Sequence, residues 1–374
     1  MNKNSIYLIV LFSSLILGGC EPPAERVTIG VLFKPDTTGQ QLKNSGELTL
    51  IQINALGGIN SLGKNYQLEV VYQDIGATPE SAMEAAYEMI SQYDLSAIIG
   101  PNVSNQAIPV SNLVNKFKIP LISPVSTHKE TTLNKDFIYR AVTTDDIQSK
   151  ALAKFAGELN DNSTAVLYDI SNAYSKNIAT SFKAYFEASY NKLVTLESYV
   201  AGEQNFSEEL QKIRKLNPGI LLLPNYGIDI KNQFEEIKKM DWQVTLLGTD
   251  SWGPPPFEYI SLSNKIYFTN HWSVSIGQSN LIAKKFIQDY KQYYNSEPSG
   301  NAALAYDSFA IIIESIKKAG IEREAISAEL STLSNYQGVT GLFTFNGSGD
   351  PDKPIYIFEL INNRAILTKE VHNE

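Results

Sequence analysis

Two hydroxyl-bearing loops hold the residues whose types and spacing most suggest chemistry: Asn102-Val103-Ser104 and Ser126-Thr127. Each follows a short apolar run, 95–99 closed by Gly100-Pro101 and 119–123 closed by Pro124, of the kind that forms buried parallel strands. Between the runs Val110, Leu113, Val114 and Phe117 recur at i, i+3, i+4 and i+7, one face of a helix. Pro109 is tolerated only near a helix start, which places that start at about 104–106. Each strand is thus expected to end in a loop that opens a helix. In open α/β sheets ligands lie at the carboxyl ends of strands, and helix N-termini offer unpaired N–H groups to anions. Two such ends side by side make a pocket for a carboxylate with no basic side chain in it. Ser104 and Thr127 can equally serve as helix N-caps, a role compatible with binding.

Patterns that would argue for catalysis are fragmentary. Ser126-Thr127-His128-Lys129 matches S-x-x-K but has no accompanying K-T-G. Asn346, Ser348, Asp350 and Asp352 imitate the start of a calcium loop without its closing glutamate, so a turn is expected there. His128, His271 and His372 do not stand at metal-ligand spacing. P-loop and G-x-G-x-x-G sequences are missing. The expectation is a binding protein, not an enzyme, with no cofactor and no metal.

The elements that position these loops follow from the rest of the chain. Its 374 residues, 43% hydrophobic and 19% charged, are globular material for about two domains. Residues 1–19 read as a leader: Lys3 supplies the positive end, 6–16 the apolar core, and Leu17-Gly18-Gly19-Cys20 a lipoprotein cleavage box. Cys20, the single cysteine, becomes the lipid attachment site, and 20–26 with Pro22-Pro23 a tether. The net charge of −9, about −10 without Lys3, and the lack of a basic cluster argue against nucleic acid.

Strands are expected at 27–33 and 68–72, and helices at 47–56 and 79–93, the latter turning Met83, Ala86, Tyr87 and Ile90 inward. After 139–141 the cycle restarts, with helices at 147–159, 175–189, 206–216 and 228–240 and strands at 164–168, 193–199, 219–223, 244–247 and 265–269. Helices at 280–294 and 303–319 follow, then a hairpin joining 343–345 to 355–361. This alternation predicts parallel sheets with right-handed crossovers.

With these elements in place, the chain resembles the type I periplasmic-binding-fold proteins of the leucine/isoleucine/valine-binding class, solute receptors of ABC importers. The resemblance runs from Val27 to about Ile366. Its carriers are Asn54-Ala55-Leu56-Gly57-Gly58-Ile59, Ile98-Ile99-Gly100-Pro101 with Ser104, and Pro120 to Thr127. Tyr139-Arg140, Gly248-Thr249-Asp250, Ala305-Tyr306-Asp307 and Gly338-Val339-Thr340-Gly341 complete the set. It implies an α/β, two-lobed fold, each lobe a mostly parallel sheet flanked by helices, with three hinge crossovers. Lobe 1 would be 27–142 plus 271–337, and lobe 2 143–270 plus 338–374.

The ligand would lie between the lobes and close them. Ser104 and Thr127, with Ser126 beside them, would hold an α-carboxylate. Asp250 would pair with an α-ammonium, facing water until a ligand arrives, and Tyr174 and Tyr226 would cover the ligand from lobe 2. The resemblance implies a monomeric receptor, lipid-anchored at the bacterial envelope membrane and facing the periplasm or exterior, working with a permease and an ATPase. An amino acid is the expected ligand. The polar run from Lys34 to Gln40, where relatives often carry an aromatic, weakens the case for leucine, isoleucine or valine. An amide or urea-like solute, or a regulatory or sensory role on the same fold, are the alternatives.

Overall fold

The computed structural model describes residues 25–159, 163–190, 194–252, 264–345 and 347–372. Leader, Cys20 and most of the tether lie outside the described residues, as do Gly253 to Pro256 and Asn346.

The first half alternates as its pattern requires: β1 (Arg26–Phe33), α1 (Thr37–Ala55), β2 (Ile59–Ser61), β3 (Lys64–Asp74), α2 (Pro79–Gln92), β4 (Ala97–Ile99), α3 (Ser104–Lys116), β5 (Leu121–Ser123) and β6 (Ile138–Arg140). These strands form one sheet in the order β2-β3-β1-β4-β5-β6, parallel except for the β2–β3 pair. β4 and β5 are buried throughout and β1 over most of its length, so both faces must be covered.

The chain then builds α4 (Asp145–Glu158), β7 (Thr164–Asp169), α5 (Ala173–Tyr190), β8 (Val194–Tyr199), α6 (Ser207–Lys215), β9 (Ile220–Leu222), α7 (Gly227–Lys239), β10 (Thr245–Gly248) and β11 (Ile266–Asn270). After these come α8 (Val274–Gly277), α9 (Leu281–Tyr294), α10 (Gly300–Ala319), α11 (Arg323–Ser331), β12 (Tyr336–Gly338), β13 (Gly341–Phe343), β14 (Ile355–Ile361) and β15 (Arg364–Val371). The second sheet runs β15-β14-β11-β10-β9-β7-β8, with β14 and β15 antiparallel at one edge.

The two sheets are the two lobes, and the chain passes between them three times. It leaves the first after β6 and returns after β11, when α9 and α10 pack on α1 in a core with Leu48, Trp272, Phe286 and Val339. The last passage differs from the expected one. Phe343 does not pair with the 355–361 strand: β13 pairs with β12, and β14 pairs with β15. Phe343 and Phe345 lie in the first lobe's core beside Tyr139 and Phe309, so the chain crosses between 345 and 355 and not at 337. The physical reason is Asp307 of α10. Its carboxylate accepts the Val339 N–H (2.6 Å), the Thr340 N–H (2.8 Å) and the Thr340 hydroxyl (2.6 Å), which ties the β12–β13 turn to the first lobe.

Helix α2 also departs from expectation. Ala82, Ala85, Ala86 and Met89 face inward, while Met83 and Tyr87 are exposed. The small alanines let the helix approach its neighbours more closely than a methionine–tyrosine stripe would allow.

Candidate ligand-binding site

The loop after β4 begins with Gly100, at φ +93°, where a Cβ would stand 2.2 Å from the Leu32 carbonyl oxygen. Only glycine fits, and the turn it permits carries the chain into α3. Ser104 is the first residue of α3 and Val103 the cap, with no side-chain capping bond, so the Ser104 hydroxyl is not a cap. It accepts instead from the Ser126 hydroxyl at 3.0 Å, and Ser126 also meets the Thr131 hydroxyl at 2.8 Å. Ser104 and Ser126 are thus brought together, the Thr127 side chain turns to Asp145, and all three are buried, each no more than 2% exposed.

Two expectations about these loops need correction. The second does not open an α-helix: only a 3-10 turn follows, Lys129–Thr131, capped by His128 and not by Thr127. Nor is the pocket free of basic side chains. Arg140, at the end of β6, is fully buried behind the second loop and donates to the Ser126 carbonyl (2.9 Å), the His128 carbonyl (3.0 Å) and the Thr132 hydroxyl (2.7 Å). Its Nε pairs with Asp350 of the third crossover at 2.6 Å. The guanidinium fixes the loop's shape and places a positive charge behind it.

The second lobe contributes the other half. Tyr174, the second residue of α5, donates its hydroxyl to Asp250 at 2.5 Å, and its ring lies 5.3 Å from that of Tyr226 at the start of α7. Asp250 follows β10 and is not in water: its side chain is 6% exposed. Besides Tyr174 it accepts from the Gln148 amide at 2.6 Å and lies 3.2 Å from His271 Nε2. Burial, and then the charge of Asp250, push the Tyr174 phenol well above its ordinary range, so it remains a donor. Tyr226 is raised in the same way.

Between the halves stands a residue the sequence did not single out. Asp145, first in α4, receives the Asn177 amide at 2.8 Å on one oxygen, and its other oxygen is buried without a partner. Burial raises its carboxyl to about 7; Thr127 and Asn177 oppose the rise, Asp250 adds to it and Arg140 opposes it. Its N–H donates to the Thr127 carbonyl at 2.9 Å, joining the lobes. Asn105, His128, Ser171, Lys176 and Asn177 line a crevice of about 430 Å³ between the second loop and α5. The arrangement sets hydroxyls backed by a buried cation on one lobe and the acids Asp145 and Asp250, the latter held by the Tyr174 hydroxyl, on the other. Among the described residues no group of three histidine, cysteine or acidic side chains could hold a metal ion.

Comparison with known proteins supplies the family and the fold. A family model described as periplasmic binding protein matches residues 32–365. The chain is 24% identical to the leucine-, isoleucine-, valine-, threonine- and alanine-binding protein of Pseudomonas aeruginosa, over 94% of each chain. The leucine-binding protein LivK of Thermotoga maritima superposes with a TM-score of 0.84 at 25% identity, covering 92% of this chain and 99% of that one. LivJ of Streptococcus pneumoniae, a branched-chain amino acid transporter substrate-binding protein solved with isoleucine, gives 0.83 at 26%, over 92% and 100%.

Proposed function

This chain belongs to the periplasmic binding protein family, and from that membership and its cleft we propose that it is the amino-acid receptor of an ABC importer. What supports the reading is the set of buried hydroxyls Ser104, Ser126 and Thr127 on one lobe and the buried acids Asp145 and Asp250 on the other, linked by the Asp145 N–H to Thr127 carbonyl bond. The α-carboxylate takes the hydroxyls and loop N–H groups, and the α-ammonium takes Asp250, with Asp145 as a second acceptor. Tyr174 and Tyr226 cover the ligand, and closure brings the second lobe onto it. Lobe 1 would be 27–142 with 271–345, and lobe 2 143–270 with 355–374. Cys20 would carry the lipid that keeps the receptor at the membrane, beside a permease and an ATPase.

A thermal-shift screen against the twenty protein amino acids and a panel of amides tests the reading. A ligand at a hundred times its Kd adds about 2.7 kcal/mol to stability. Stabilisation by an amino acid, lost with its desamino analogue, is the expected outcome. Response to amides alone would transfer the site to an uncharged solute. Silence across both panels would favour a regulatory or sensory role.

A further inference from the structure

We propose that Asn105 is a positioning residue for ligand capture: it caps the first turn of α5 from the opposite lobe and so latches the cleft shut. The Ala173 N–H, first in α5, donates to Asn105 Oδ1 at 2.7 Å. Such an N–H has no partner inside its own helix, and caps normally come from the residue just before. Asn172 is such a cap and takes the Ser175 N–H (3.2 Å), while the acceptor for the Ala173 N–H, which that cap does not reach, comes from 68 residues earlier, in the other lobe.

The bond is placed to act on binding. Asn105 adjoins Ser104, whose hydroxyl belongs to the carboxylate side, and Ala173 adjoins Tyr174, which donates to Asp250 on the ammonium side. One hydrogen bond therefore runs alongside the ligand, one residue out from a ligand group on each lobe. It can form only when α3 and α5 meet, so it stabilises the closed state without touching what is bound. Its contribution is the same for every ligand and is expressed mainly in the rate of release.

The inference rests on closure around a ligand, and the experiment separates the two. Spin labels at Gln40→Cys and Lys231→Cys, exposed positions on the two lobes, report the interlobe distance in a Cys20→Ser background, with an equimolar mixture of the twenty protein amino acids as probe. Asn105→Ala removes the acceptor. Ala173→Pro removes the donor at a position where proline suits a helix start, so the fold is preserved. Each variant should need about 2- to 30-fold more probe for half-closure, the effect expected of a lost cap. The double variant should need no more than either single one, because both delete the same bond. Half-closure within 1.5-fold of the parent, or shifts that multiply in the double variant, would overturn the latch. A parent whose distance never shortens sinks the amino-acid reading instead; the latch is then judged on the ligand-free distances, which must lengthen in both variants.

Discussion

A carboxylate offers about four lone-pair sites, and at Asp250 three of them face Tyr174, Gln148 and His271. One site is left for a ligand N–H, which aims the acid at a single donor. Asp250→Ala should weaken amino-acid binding by roughly 30-fold to several thousand-fold, the range for removing one partner of a buried charge pair. Asp250→Asn should fall between variant and parent. Because Tyr174 and Gln148 would lose their acceptor and His271 its neighbour, Asp250→Ala should also destabilise the ligand-free protein by about 1–3 kcal/mol. Calorimetric titration and thermal melts check both, and an affinity within threefold of the parent would mean that no ammonium sits there. Asp145 makes a prediction of opposite character. Its folded carboxyl holds a proton up to about 7, above the unfolded value of 3.8, so the stability it contributes is present below pH 4 and lost as pH rises towards 7. Asp145→Asn removes that loss, and its melting temperature relative to the parent should climb between pH 4 and 7, by an amount on the order of 4 kcal/mol in stability. A flat difference across that range would show the carboxyl to be ionised throughout. Ser104, Ser126 and Thr127 were legible as hydroxyls at strand ends, and Asp250, Tyr174 and Tyr226 only through family motifs. Asp145, Gln148 and His271 were not, and Arg140 stood in a family motif without a role, because nothing in local spacing says which helix start or strand end will face a distant loop.

At the scale of elements, periodicity located the helices better than their faces. Helix α2 shows why: the windows starting at Ala82 and Met83 are both apolar at i, i+3 and i+4, and hydrophobicity favours the larger side chains. Packing chose the alanines. Tyr87→Glu should therefore change stability by less than about 0.5 kcal/mol, while Ala86→Leu, into a site with no exposed surface, should cost about 1–3 kcal/mol. Chemical denaturation of the two variants checks this, and the reverse order would restore the tyrosine face to the core. The mistaken hairpin has a similar origin. The sequence shows two strand-like runs around a glycine-rich turn, but the partner of each is fixed by Asp307 and by the open edge of β11, both far away along the chain.

For the whole molecule, two lobes joined by three passages of chain should move as bodies about those passages. Small-angle scattering should show a smaller radius of gyration with a saturating amino acid than without, and an unchanged profile would argue for a rigid binding module. The α/β class and the division into two lobes were legible in the sequence, since strand–helix alternation is long-range information written locally. The third crossing was not, because it depends on which lobe's core claims Phe343 and Phe345.

That interleaving decides the order in which the molecule can be finished. A chain made from its N-terminus has all six strands of the first sheet by Arg140, yet α10, whose Leu304, Phe309, Ile312 and Ile316 share a core with β1 and β3, arrives about 160 residues later. Until then an apolar sheet face stays bare, the state most prone to aggregation. The second sheet waits longer still, for the antiparallel pair that seals β11. Loss of the last twenty residues would therefore not trim a tail: it would reopen a sheet edge in one lobe after the other had already closed. Neither lobe can be cut out as a continuous segment, and a rearranged gene that began at α9 would make the covering helices before the sheet they cover.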